Sequence, residues 1–155
     1  MSMGIFPNKT SDLLPKADAD EVVAAIQKAE AITSGEVRVF IESRCSYVNA
    51  VDRAWEIFGQ LKMQATLERN AVLVYMALLD RQIAIIGDEG IHQKVGRDNF
   101  WKSELETLKS FCQQGKLKEG LSTVVTEIGE ALSLHFPPKA NEDHNEIPDD
   151  IVFGH

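Results

Sequence analysis

Arg69-Asn-Ala-Val-Leu-Val-Tyr-Met-Ala-Leu-Leu-Asp-Arg-Gln-Ile-Ala-Ile-Ile-Gly-Asp-Glu-Gly90 is the stretch whose reading decides the fold. Ala71 to Leu79 is an unbroken apolar run, and Ile83 to Ile86 is a second one. Runs this short and this apolar read as strands buried on both faces. Asp80-Arg81 sits between them, so the strands are antiparallel neighbours joined by a short turn. The pair then starts and ends at one sheet edge. Arg69-Asn70 enters at that edge, and Gly87-Asp88-Glu89-Gly90 leaves there.

Working outward, Val37 to Ser43 reads as a strand, with Val37, Val39 and Ile41 on one face and Phe40 on the other. Asn49 to Lys62 carries Val51, Ala54, Trp55, Phe58 and Leu61 at helical spacing, which predicts a helix with Trp55 and Phe58 in the core. Strand, helix, strand makes a right-handed crossover, with the Val37 and Ala71 strands parallel. Parallel strands begin at the same edge. Glu36 therefore joins Asn70, Asp88 and Glu89 at one acidic rim, assembled from three separate pieces of chain.

Further helices are predicted over Asp18 to Ile32, over Asp98 to about Gln114 and over Lys116 to Leu134, with one turn within Gly90 to Gly96. Asp18 with Glu21 has the spacing of a capping box. Asp98 is placed as the cap of its helix. Gly120 and Gly129 sit inside the last helix, where each costs about 1 kcal/mol against Ala, so a close approach to the sheet is expected there. The fold class is α/β: a three-layer α/β/α sandwich around a small, mostly parallel mixed sheet with helices on both faces. One domain spans 1–155, with a core of about 10–136. The segment 137–155 holds five acids and one Lys, contributing −4. Ile147, Ile151, Val152 and Phe153 make that segment apolar enough to fold back in part.

The chain has 155 residues and a formal net charge of −8. Nucleic acid and anionic membrane surfaces select for basic proteins, so neither is expected as a partner. The longest apolar run is far short of the roughly 20 residues of a membrane helix. No basic segment followed by an apolar one opens the sequence, and a cytoplasmic location is expected. Cys45 and Cys112 are too far apart in sequence to form a CxxC motif.

Several motifs resolve into simpler readings. Asp18-Ala-Asp-Glu-Val22 matches a phosphatase nucleophile pattern, but it opens a helix instead of ending a buried strand, so its acids suit the helix N-terminus. Asn141, Asp143 and Asn145 mimic the first half of an EF-hand loop, yet Glu146 and Val152 stand where Gly and Glu are required. The four histidines form no zinc pattern, with His92 a weak candidate beside the rim. No GxSxG, P-loop or GxGxxG is present.

The rim offers carboxylates from Glu36, Asp88 and Glu89, an amide oxygen from Asn70 and loop carbonyls, which are the donors a hard cation takes. The alternative is that these acids are merely solvated at strand ends, or that Glu36 pairs with Arg69. Asp149 and Asp150 could add donors if the tail reaches the rim.

The segments AEAITSGEVRVFIE, RNAVLVYM, IIGDEGI, HFP and NEIPDDI, taken together, resemble the TPM domain family over about residues 10–152. That family includes a thylakoid-lumen acid phosphatase with a photosystem II repair role and the worm MOLO protein. The resemblance implies an α/β/α sandwich and, in some members, calcium bound at the sheet rim. It singles out Glu36 of TSGE and Asp88 of GD, with Asn70 and Glu89 beside them. Three functions follow as expectations. The first is a module that binds Ca2+, or Mg2+, and presents the metal-ordered rim to a protein partner. The second is a metal-assisted acid phosphatase using Asp88 and Arg69. The third is a metal-independent acidic interaction module.

Overall fold

A computed structural model describes residues 14–47, 49–139 and 151–154. The EF-hand-like Asn141, Asp143 and Asn145, together with Asp149 and Asp150, lie outside them. The elements in chain order are α1 (Lys16–Ala31), β1 (Glu36–Glu42), α2 (Ala50–Gln60), β2 (Ala71–Ala77), β3 (Gln82–Gly87), α3 (Glu89–Val95), α4 (Phe100–Gln113), α5 (Leu117–His135) and β4 (Ile151–Phe153). The sheet order is β3-β2-β1-β4. β1 runs parallel to β2 and β4, and β3 is antiparallel to β2. All seven β2 residues are buried, as an inner strand covered on both faces requires.

Strand alternation divides the core into two layers. Val37, Val39 and Ile41 of β1, with Val72, Val74 and Met76 of β2, face α1, α4 and α5, whose Ile26, Leu108, Leu121 and Ile128 are buried against them. Phe40, Leu73, Tyr75 and Ile86 face the other way, onto Ala54, Ile57 and Phe58 of α2. This is the three-layer α/β/α sandwich with a mixed, mostly parallel sheet. Each fully buried aliphatic side chain contributes about 1.5–3 kcal/mol.

Five local expectations are corrected. β2 ends at Ala77, and Leu78–Arg81 form the turn, with Arg81 at φ +54°. Helix α1 begins at Lys16 behind Pro15 with no side-chain cap. Asp18 is thus already in the first turn, and Glu21 instead pairs with Lys118 at 3.0 Å. Asn99, not Asp98, precedes α4, at φ 58°. Trp55 is 44% exposed and packs edge-on against Phe58, which takes the core position. Gly129 and Gly120 serve helix–helix contacts, not helix–sheet ones. A Cβ on Gly129 would lie 2.5 Å from the Ala29 Cβ of α1, and one on Gly120 would lie 2.7 Å from the Phe111 Cβ of α4.

Candidate functional site

The rim forms at the N-terminal ends of β1 and β2, where β3 also finishes. The register pairs Glu36 with Ala71, and Val72 with Gly87. Glu36, Asn70 and Asp88 therefore meet at one edge, and all three are buried, at 3%, 1% and 3% exposure. Glu89 also lies on this edge, but its side chain is 64% exposed.

The chain reaches the rim through backbone geometry that only certain residues tolerate. Arg69 sits at φ +52°. That turn aims its carbonyl at α3, where it accepts from the N–H of Gly90 at 2.8 Å and of Ile91 at 3.3 Å. Gly90 has no room for a side chain, since a Cβ would come within 2.6 Å of the Arg69 carbonyl oxygen and closer still to that of Glu68. Asn70 is fixed next. Its N–H donates to Thr66 Oγ1 at 3.2 Å, its carbonyl accepts from Glu36 N–H at 3.4 Å, and its Nδ2 donates to Ser34 Oγ at 3.4 Å. Ser34 Oγ donates in turn to Glu68 Oε2 at 2.9 Å.

Asn70 Oδ1 is the exception. It is buried and has no hydrogen-bond partner among the described residues. A buried acceptor left without a donor costs about 1–3 kcal/mol, so such atoms ask for an explanation.

Asp88 has its carboxylate occupied. Oδ2 accepts from Arg69 Nε at 2.7 Å and Oδ1 from Nη2 at 2.9 Å, a bidentate pair. Oδ1 also accepts from Glu89 N–H at 2.8 Å, which caps α3. The hydrogen bonds to Asp88 raise the pKa of the Arg69 guanidinium, and the neighbouring negative charges of Asp88 and Glu89 act in the same direction. Arg69 thus pairs with Asp88, and it reaches Glu89 at 3.3 Å. The two groups a phosphomonoesterase would need here hold each other. Among the described residues, no three acid, His or Cys side chains form a group that could hold a metal ion. His92 Nδ1 accepts from Trp101 Nε1 at 3.0 Å, so one of its ring nitrogens is occupied by the fold.

The behaviour of Thr33, Ser34 and Glu30 was not legible in the sequence. Thr33 Oγ1 donates to the Phe136 carbonyl and accepts from Gly35 N–H at 3.1 Å. Ser34 N–H donates to the same carbonyl at 3.0 Å, tying the end of α5 to the rim. Glu30 Oε2 accepts from Val37 N–H at 2.8 Å. The TSG triplet could have signalled a hydroxyl-braced turn.

Two further buried charge clusters were also missed. At the opposite sheet edge, Glu42 accepts from Arg53 Nε at 2.9 Å and Nη2 at 2.8 Å, and from the Tyr75 hydroxyl. Between α4 and α5, Glu104 is 5% exposed and hydrogen-bonds Glu127, with Glu130 nearby. Burial, then the Glu127 hydrogen bond and the charges of Glu127 and Glu130, push its carboxyl up to about 8.

The fold and the rim define a class: a three-layer α/β/α domain with a buried acid–amide cluster at the N-terminal edge of its parallel strands. The chain belongs to the TPM domain family, whose pattern matches residues 8–131. It is similar to the BA42 protein of the psychrophilic bacterium Bizionia argentinensis, solved by NMR. The two share 36% identity and a TM-score of 0.83, over 96% of this chain and 100% of that one. No curated protein matches. No helix among the described residues is long and apolar enough to cross a membrane.

Proposed function

We propose that this domain binds a divalent cation, calcium with magnesium as competitor, at the rim of Glu36, Asn70, Asp88 and Glu89. It acts there as a metal-ordered module that presents the rim to a protein partner. The observation that carries this reading is Asn70 Oδ1, a buried oxygen with no donor among the described residues, beside two buried carboxylates. Calcium takes six to eight oxygens and accepts amides, carbonyls and waters among them. Two buried acids and an amide make a sparse protein shell, so an affinity on the order of 10⁻⁴–10⁻³ M is expected.

Arg69 sets the terms of binding. Its guanidinium is the cation that Asp88 holds now. A metal that takes Asp88 Oδ2 must displace Arg69 Nε from it. Arg69 is 42% exposed in its side chain and has Glu89 within reach outside, so it has somewhere to go. Metal binding would then free Asp88 from one partner and change the charge displayed at the rim, which is the event a protein partner would read.

The test is a two-dimensional amide NMR titration with calcium and, separately, magnesium. Saturable shifts are expected at residues 35–37, 69–71 and 87–91. Glu36→Gln with Asp88→Asn should weaken binding at least tenfold, and Arg69→Gln should tighten it. An affinity unchanged by the double substitution would overturn the assignment.

A further inference from the structure

The Leu78–Arg81 turn lies at the far end of the hairpin from the rim. There the end of β2, the start of β3, the last turns of α4 and the start of α5 line an open cavity of about 680 Å3. This is within the range of about 300–1,000 Å3 typical of small-molecule sites. It sits beside the carboxyl end of β2, under the β2–β3 hairpin turn.

The lining has two parts. Met76, Ala77, Ile83 and Leu117 supply an apolar floor and wall. Arg81 and Lys109, both exposed, stand among the lining residues. No lining residue among the described ones is acidic, in a chain carrying 24 Asp and Glu. Neither cation makes an ion pair with a described residue. The one acid of the turn, Asp80, is engaged elsewhere. It accepts from Arg44 Nη1 at 3.0 Å and from Cys45 N–H at 2.7 Å.

We propose that this cavity is a second binding site, for a small carboxylate carried on an apolar chain. The apolar body would occupy the floor, and the carboxylate would sit at the mouth between Arg81 and Lys109. Arg supplies a planar fork that matches a carboxylate, and Lys a point charge. The favourable term is the apolar area removed from water. The cations select a charged head over a neutral one and orient it. The site is independent of the cation rim, which occupies the opposite edge.

The experiment uses the full chain in calcium-free buffer, titrated with decanoate below its micellar concentration and followed by amide NMR. Saturable shifts are expected at residues 76–78, 82–83 and 112–117, with 87–91 unmoved. Decanol, equal in chain length but uncharged, should bind about tenfold more weakly, as should decanoate to Arg81→Gln/Lys109→Gln. Both substituted side chains are exposed, so the fold is retained and unchanged shifts elsewhere confirm it. Equal affinity for decanol, undiminished affinity in the double variant, or no saturable shift in the cavity would each overturn the proposal.

Discussion

Glu104→Gln should stabilise the protein above neutral pH, and the amount follows from its surroundings. Glu104 is 5% exposed on α4 and faces Glu127 and Glu130 of α5, while the packed strand β3 presents no titratable group to it. One of its carboxyl oxygens, Oε1, has no hydrogen-bond partner among the described residues. Its carboxyl stays protonated up to about pH 8 when folded, against an ordinary value of 4.5. The folded state holds a proton that the unfolded chain has released. The resulting stability is therefore fully present below pH 4.5 and is lost as pH rises through 8. Each tenfold in proton affinity is worth about 1.4 kcal/mol, so the unscreened loss is about 4.5 kcal/mol at pH 8. Glu127 is half-buried and Glu130 exposed. Water reaching them screens the repulsion and brings the expected figure to about 2–4 kcal/mol. Glutamine keeps a donor toward Glu127 and cannot ionise. Urea unfolding of both proteins from pH 5 to pH 9 should give nearly equal stabilities at pH 5 and a gap that opens steadily above it. Parallel curves across that range would refute the reasoning, because Glu104 would then titrate alike in the folded and unfolded chain.

Arg53→Met should cost about 3–5 kcal/mol in chemical denaturation, because it leaves the 2%-exposed Glu42 as a buried charge without its counter-ion. Adding Glu42→Gln should recover much of that loss, and a single-variant cost below about 1 kcal/mol would show that water already reaches the pair. Gly90→Ala should destabilise by about 2 kcal/mol or more, since the obstruction is two backbone carbonyl oxygens and not a flexible side chain; a melting temperature within a degree of the parent would mean that the start of α3 shifts freely. Arg69→Gln should raise calcium affinity by up to about tenfold, if displacing the guanidinium costs about 1.4 kcal/mol; titration calorimetry showing weaker binding would make Arg69 an ordering group for the rim and not a competitor.

The fold was legible wherever burial on both faces dictated residue type. Ala71–Ala77 could only be an inner strand, and the crossover from β1 through α2 then fixed which ends lie together. The gathering of Glu36, Asn70 and Asp88 followed from topology alone. Their partners did not. Whether Arg69 would take Glu36 or Asp88 depends on the φ of +52° at Arg69, which swings its side chain toward α3, and no periodicity encodes that angle. The same limit explains Trp55. Helical spacing places Trp55 and Phe58 on one stripe, but among the described residues α2 is the only α-helix packed on its side of the sheet, so the edge of the stripe stays in solvent. Gly129 misled for a related reason. A glycine announces close approach without naming the neighbour, and here the neighbour is Ala29 of α1.

The two ends of the sheet differ in a way that bears on what each can bind. At the rim, Glu36 and Asp88 are buried, and the arginine that balances Asp88 is itself 42% exposed. At the other end, Glu42 is buried with Arg53, whose side chain is only 18% exposed and whose guanidinium the Glu42 hydrogen bonds hold more firmly protonated. Tyr75 adds a third partner to the same carboxylate. A buried acid with a fixed counter-ion is closed to any incoming cation, because displacing the counter-ion would strand a second charge. A buried acid whose counter-ion has a solvated alternative is open to exchange. By that criterion the proposed cation belongs at the rim and not at the Glu42 cluster. Arg81 and Lys109 at the Glu42 end, which make no ion pair with a described residue, favour an anion there instead.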